Sequence, residues 1–137
     1  MTENINPDAT LGDRFKAVCL RLWGPDKGDE IHNWIVSERP AHFHAMTMQV
    51  MVPIWEMDRV DIRTKILCCI SLFVGMNRDE QRFFLMMAAH HGIPQEDIEE
   101  ILLLIGLEAG FPTAEKAIGI VQDVYREHAA SKAGHKA

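Results

Sequence analysis

Several large classes of protein are excluded by what this sequence lacks. It has no basic run or stripe, and its 14 Lys and Arg stand against 20 Asp and Glu, for a formal charge of -6. Nucleic-acid binding draws its affinity from cationic side chains that release phosphate counterions, so no such partner is expected. No segment offers the roughly 20 consecutive apolar residues that span a bilayer. Residues 1–13 are polar and acidic rather than signal-like. The expected setting is cytoplasmic, with no membrane partner. Cysteine is scarce: Cys19, Cys68 and Cys69 are odd in number, and the last two are chain neighbours, a geometry that seldom bridges. Reduced thiols follow. Aromatics are few, and no stretch reads as a strand.

What is present favours helix. Eight Met and many Ile, Leu and Ala supply the apolar mass. Leu11, Phe15, Val18, Cys19 and Leu22 recur at helical spacing up to Gly24-Pro25, a stop signal. A second helix is expected from about Asp29, with Ile31, Trp34, Ile35 and Val36 as its buried stripe, until Pro40 pushes Arg39 out of α geometry. Helical spacing resumes over residues 41–51 and breaks at Pro53, leaving 55–60 as a connector. Asp61 can cap a helix over 62–76. Asn77 and Glu80 have the spacing of a capping box for a helix that ends at Gly92, a left-handed terminator. Pro94, Glu96 and Asp97 suit a first turn, and that helix closes near Gly110-Phe111-Pro112. Thr113 can cap a last helix to about His128.

Three of these segments, 62–76, 83–89 and 98–107, are apolar all the way round. A helix without a polar face must be covered, and 137 residues leave little other material to cover three. The expectation is therefore an all-α, single-domain bundle of about six helices that self-associates, with 1–7 and 130–137 as flexible tails and its structural centre at 55–114.

The residues Trp55-Glu-Met-Asp-Arg-Val-Asp-Ile-Arg-Thr-Lys65, then Gly92-Ile-Pro-Gln-Glu-Asp-Ile-Glu-Glu-Ile-Leu-Leu103, then Glu108-Ala-Gly-Phe-Pro112, resemble the carboxymuconolactone decarboxylase family. Members typically carry a Trp followed by Leu-Asp-Leu-Arg-Thr-Arg, a Gly-x-x-x-Glu-Glu-Ile helix start and a Tyr-Ala-Gly-x-Pro turn. The resemblance covers about 40–124. It implies an alkylhydroperoxidase-like helical fold assembled as trimers or hexamers, in a family of cofactor-free lactone decarboxylases and thiol peroxidases. The peroxidase branch needs Cys-x-x-Cys and a His one helical turn later. Counted back from Gly92, these positions fall on Asn77, Glu80 and Phe84, or one residue earlier on Met76, Asp79 and Phe83. Neither register supplies a thiol or an imidazole, so disulfide cycling is absent. The same Phe replaces the His that decarboxylase members carry there.

Decarboxylation or isomerisation of a small acidic lactone needs a cation for the carboxylate, a group to move a proton and a dry pocket. Arg63 matches the family arginine, and a planar guanidinium suits a carboxylate; its plainer reading is an exposed first-turn arginine. His42 and His44 lie on different sides of a helix but on one side of an extended segment, and Pro40 leaves both open. His44 is the candidate proton carrier, against a partly exposed structural histidine. His91 shares a helical face with Phe84 at about 10 Å along the axis, against a C-terminal histidine that merely meets the last carbonyls. Glu56 beside Trp55 is the carboxylate expected to be partly buried, with a raised pKa, against a solvated loop residue. Cys68 and Cys69 read as packing. A metal site from His42, His44, His91 and Glu56 lacks the i, i+4 spacing of a helical chelate, and the Met residues from 46 to 57 read as core or pocket wall. No metal or cofactor is expected.

The first functional reading is thus a cofactor-independent lyase or isomerase acting on a small carboxylated lactone or ring-cleavage intermediate. Arg63 would anchor the carboxylate, and His44, helped by Glu56, would deliver a proton. The rival is a non-catalytic helical oligomer serving as a binding or scaffold subunit.

Overall fold

The computed structural model describes residues 9–135. Among them are seven α-helices and no strand, so the all-α expectation holds. The tail expected over 1–7 lies outside the described residues, whereas of the tail expected over 130–137, residues 130–135 belong to the last helix. The chain divides between Asp61 and Ile62 into two compact units.

The first unit holds α1 (Leu11–Trp23), α2 (Pro25–Glu38) and α3 (Ala41–Glu56). Thr10 caps α1, its hydroxyl accepting the Asp13 N–H at 3.1 Å, which satisfies one of the open donors of the first turn. Gly24 (φ 92) ends α1 and at once precedes α2, whose first residue is Pro25. Gly24-Pro25 is therefore a corner rather than a gap, because a proline loses nothing at a helix's first position. Phe15, Val18, Cys19, Leu22 and Trp23 of α1 are buried with Ile31 of α2 and Val52 of α3; of the stripe expected on α2, Ile35 is half-buried and Trp34 and Val36 are exposed. Arg39 is extended (φ -107, ψ 149), as Pro40 requires. Pro53 does not break α3, which continues to Glu56. Its missing N–H deprives only the carbonyl of Gln49, which is an exposed residue. Trp55 and Glu56 are accordingly helical, not part of a connector.

The second unit holds α4 (Ile62–Gly75), α5 (Gln81–His90), α6 (Gln95–Ala109) and α7 (Phe111–His135). Its core is Ile66, Ile70 and Val74 of α4, Leu85, Met87, Ala88 and Ala89 of α5, Ile98, Leu102 and Ile105 of α6, and Ala114, Ala117, Val121 and Val124 of α7. The alternating three- and four-residue steps in α7 make one stripe along the helix. Two turns are closed alike. Arg78 N–H donates to Phe73 O at 2.8 Å and Asn77 N–H to Val74 O at 2.9 Å; Ile93 N–H donates to Ala88 O at 3.0 Å and Gly92 N–H to Ala89 O at 3.2 Å. Both are Schellman closures, with the left-handed residue Asn77 (φ 54) or Gly92 (φ 72) at the bend. Asn77 thus terminates α4 instead of capping α5, whose N-cap Glu80 makes no side-chain cap bond. The last helix also starts at Phe111, ahead of the expected cap Thr113, with Pro112 in its first turn.

Of the three all-round apolar segments, 62–76 and 98–107 are only partly covered. Leu72 and Met76, with Leu103, Leu104, Leu107 and Phe111, remain exposed on α4, α6 and their ends.

Candidate functional site

The residues selected from sequence divide between the units: His42, His44 and Glu56 belong to the first, Arg63 and His91 to the second.

In the first unit the backbone through residues 41–56 is helical, so His42 and His44 point to different sides; the extended alternative is excluded. His42 is exposed. His44 is half-buried, and its Nδ1 is buried without a hydrogen-bond partner among the described residues. Glu56 contradicts its expected charge state. Arg14 of α1 grips it with two donors, Nε to Oε2 at 3.0 Å and Nη2 to Oε1. That hydrogen-bonded guanidinium holds the Glu56 carboxyl below the usual carboxylate range, outweighing the upward push of burial. A neighbouring Trp55 predicted the opposite direction; the distant cation decides it. Seven residues further along α1, Arg21 donates to the Trp55 carbonyl at 3.4 Å. Two arginines on one face of α1 therefore hold the C-terminal turn of α3, where the helix dipole favours cations.

In the second unit, Arg63 stands in the first turn of α4 and its Nη2 donates to Asp97 Oδ2, in the first turn of α6, at 2.7 Å. Both are about half-exposed, at 49% and 44%. A pair this open contributes about 0–1 kcal/mol, so its consequence lies in the direction it gives the guanidinium rather than in stability. Next to it, Tyr125 of α7 donates its hydroxyl to Ile93 O at 2.7 Å. Burial pushes the Tyr125 hydroxyl up to about 12, Asp97 and Glu96 adding to the rise and Arg63 opposing it. A cation, a carboxylate and a protonated phenol thus meet where α4, α6 and α7 come together. Asp97 and Tyr125 were not singled out from sequence.

His91 caps the end of α5, its N–H on Met87 O at 2.9 Å and its ring edge-on to His90 at 5.2 Å. Phe84, where the family histidine was counted, stacks on Phe73 with centroids 4.8 Å apart. That position is apolar. Two of the thiols are held away from the thiolate that peroxidase chemistry requires: burial pushes Cys69 up and Cys19 up to about 12. Cys68 is exposed. Among the described residues no three His, Cys, Asp or Glu side chains converge on a metal position, and no helix is long and apolar enough to cross a membrane.

Among curated proteins, the chain is similar to a 4-carboxymuconolactone decarboxylase of Acinetobacter baylyi, 24% identical over 75 residues. The match takes in 54% of this chain and 56% of that protein, so the chain spans about half the length of the relative it matches. No family model matches the chain, and no solved structure matches it. The likeness supports a distant relationship to that decarboxylase.

Proposed function

We propose that the protein is a cofactor-independent lyase or isomerase acting on a small carboxylated lactone or related ring-cleavage intermediate. The distant likeness to a decarboxylase carries this reading, and a guanidinium already oriented by a carboxylate supports it. Arg63 binds the substrate carboxylate by charge-assisted hydrogen bonds. In decarboxylation the bond to the carboxyl carbon breaks, the electron pair is held by the lactone carbonyl as an enolate, and an imidazole returns a proton to carbon. His91, in the same unit as Arg63, is the candidate for that imidazole, tested by His91→Ala; His42 and His44 belong to the first unit and are tested by substitution on their own. Glu56 takes no proton-relay part, because Arg14 keeps it ionised.

The test is a panel of carboxylated lactones followed by mass spectrometry, where loss of CO₂ marks a decarboxylase and an unchanged mass with a changed spectrum marks an isomerase. Arg63→Ala is expected to lower kcat/KM about 10- to 100-fold, the equivalent of one charged hydrogen bond. A purified protein that leaves every lactone intact, or an Arg63→Ala enzyme equal to wild type, overturns the reading.

One observation bears on the self-association that the lyase reading and the scaffold alternative share. Leu103, Leu104, Leu107 and Phe111 form an exposed apolar row on α6 and the start of α7, of the kind that marks an interface. Self-association as a trimer or hexamer fits it. Leu107→Glu on a sizing column separates the cases: a smaller species supports self-association through this row, whereas a wild type already monomeric rules it out.

A further inference from the structure

The apolar stripe of α7, Ala114, Ala117, Val121 and Val124, continues by the same four-residue step onto His128. An imidazole therefore occupies the position where the pattern calls for one more aliphatic side chain. The residues that follow it on α7, 129 to 134, are all exposed. Its Nε2 is buried without a hydrogen-bond partner among the described residues. Opposite it is α5, which packs on α7 and brings His90 close enough for the two imidazoles to feel each other's charge. Lys132, one turn beyond His128, acts on both.

We propose that His128 and His90 form a pH-operated latch that holds the C-terminal turns of α7 on α5 when both are neutral and releases them when they are protonated.

The surrounding charges make the latch one-sided. Lys132 acts on both imidazoles as a like charge, so a proton on either one adds repulsion. The acids nearest along α7 are engaged elsewhere: Glu127 by Arg82 of α5 at 3.1 Å and Asp123 by Arg126 at 3.2 Å. His91 meets His90 edge-on. From α4 and α6, Arg63, Asp97 and Glu96 act on Tyr125 rather than on the imidazoles. Burial is the first cause, and Lys132 the second, that lowers both histidines from the ordinary value. The released state binds protons more readily than the latched one. Stability of the latch is thus complete above the ordinary histidine pKa of about 6.5 and is lost as pH falls below it. The released turns include Tyr125, whose hydroxyl holds the Ile93 carbonyl, so opening would reach the entry to α6.

Amide hydrogen exchange of residues 125–134, corrected for the intrinsic pH dependence, tests this on the full chain. Between pH 7.5 and 5.5 opening should increase by up to about tenfold per imidazole, the ratio of protonated to neutral form of an ordinary histidine at the lower pH. Exchange in α4 should not follow. His128→Leu, which completes the aliphatic stripe, should make the response of these turns smaller and their protection at pH 5.5 higher. His90→Gln provides the second variant, from the other helix, should the first fail to fold, and should also blunt the response. A wild-type response equal in α4 and α7, or an undiminished response in the variants, overturns the proposal.

Discussion

Replacing three glycines by alanine should give three different results, although all lie within helices and by intrinsic propensity each replacement is worth about 1 kcal/mol in favour of the helix. A Cβ on Gly28 of α2 would run into the Cys19 carbonyl oxygen of α1 and lie 2.8 Å from Leu20 Cα and 2.9 Å from the Cys19 carbonyl carbon. These are backbone atoms, so no rotamer change makes room and the two helices must part. Overpacking costs about 1–3 kcal/mol, and a backbone clash belongs at the upper end; less the propensity gain, Gly28→Ala should lose about 2 kcal/mol. A Cβ on Gly106 of α6 would meet Phe111 Cδ1 at 2.8 Å and Ala114 Cβ at 3.0 Å. Phe111 is largely exposed and can swing away, so the lower end applies and the net change is about zero. Gly119 of α7 has nothing within 4 Å of its added Cβ, and Gly119→Ala should gain up to about 1 kcal/mol. Urea denaturation resolves the series. Trp23, Trp34 and Trp55 all lie in the first unit and the single tyrosine, Tyr125, in the second, so tryptophan fluorescence follows Gly28 while helical dichroism follows both units. Gly28→Ala as stable as wild type, or Gly119→Ala as costly as Gly28→Ala, would refute the crossing geometry.

Two further outcomes follow from single side chains. Tyr125→Phe leaves the Ile93 carbonyl without its donor and should cost about 1 kcal/mol at neutral pH. Because the folded hydroxyl titrates near about 12 against an unfolded value of 10.0, wild-type stability should be complete below the unfolded value and fall as pH rises through the folded one. The variant should lack that alkaline component, and an equal decline in both proteins would sink the assignment. A thiol reagent at neutral pH should label exposed Cys68 first and Cys69 more slowly. Buried Cys19, with its thiol pushed up to about 12, should react only on unfolding; peptide mapping with equal rates at all three positions would contradict the burial.

Helix ends were legible wherever a residue permits only one backbone. Gly92 and Gly110 take positive φ at the ends of α5 and α6, and Pro40 forces the extended Arg39. The misread ends have residues compatible with two roles. Asn77 with Glu80 three residues on has the form of a capping box, yet asparagine also tolerates the left-handed conformation, and closing α4 through the Phe73 and Val74 carbonyls satisfies two acceptors together. Pro25 and Pro53 were read as breaks because proline is costly inside a helix. One occupies the first position of α2 and the other the last turn of α3, where little is lost.

The charged chemistry was less legible because its partners are remote in the chain. Arg63 was found through its motif, but the residue that orients it is 34 positions away, and the residue that fixes the charge of Glu56 is 42 positions away. No helical periodicity connects such pairs. Arg82 with Glu127, 45 apart, is a third instance. Each joins two helices of one unit and uses an arginine, whose planar fork fixes direction as well as charge. The consequences differ with exposure. Glu56 is only 14% exposed, so removing Arg14 would strand a shielded carboxylate; Arg63 is half-exposed, so removing Asp97 would leave it solvated but undirected. Arg14–Glu56 therefore belongs to the fold of the first unit. The open arginine of the second unit is the one whose loss can change binding without changing folding, and this makes Arg63 the residue on which the functional reading turns.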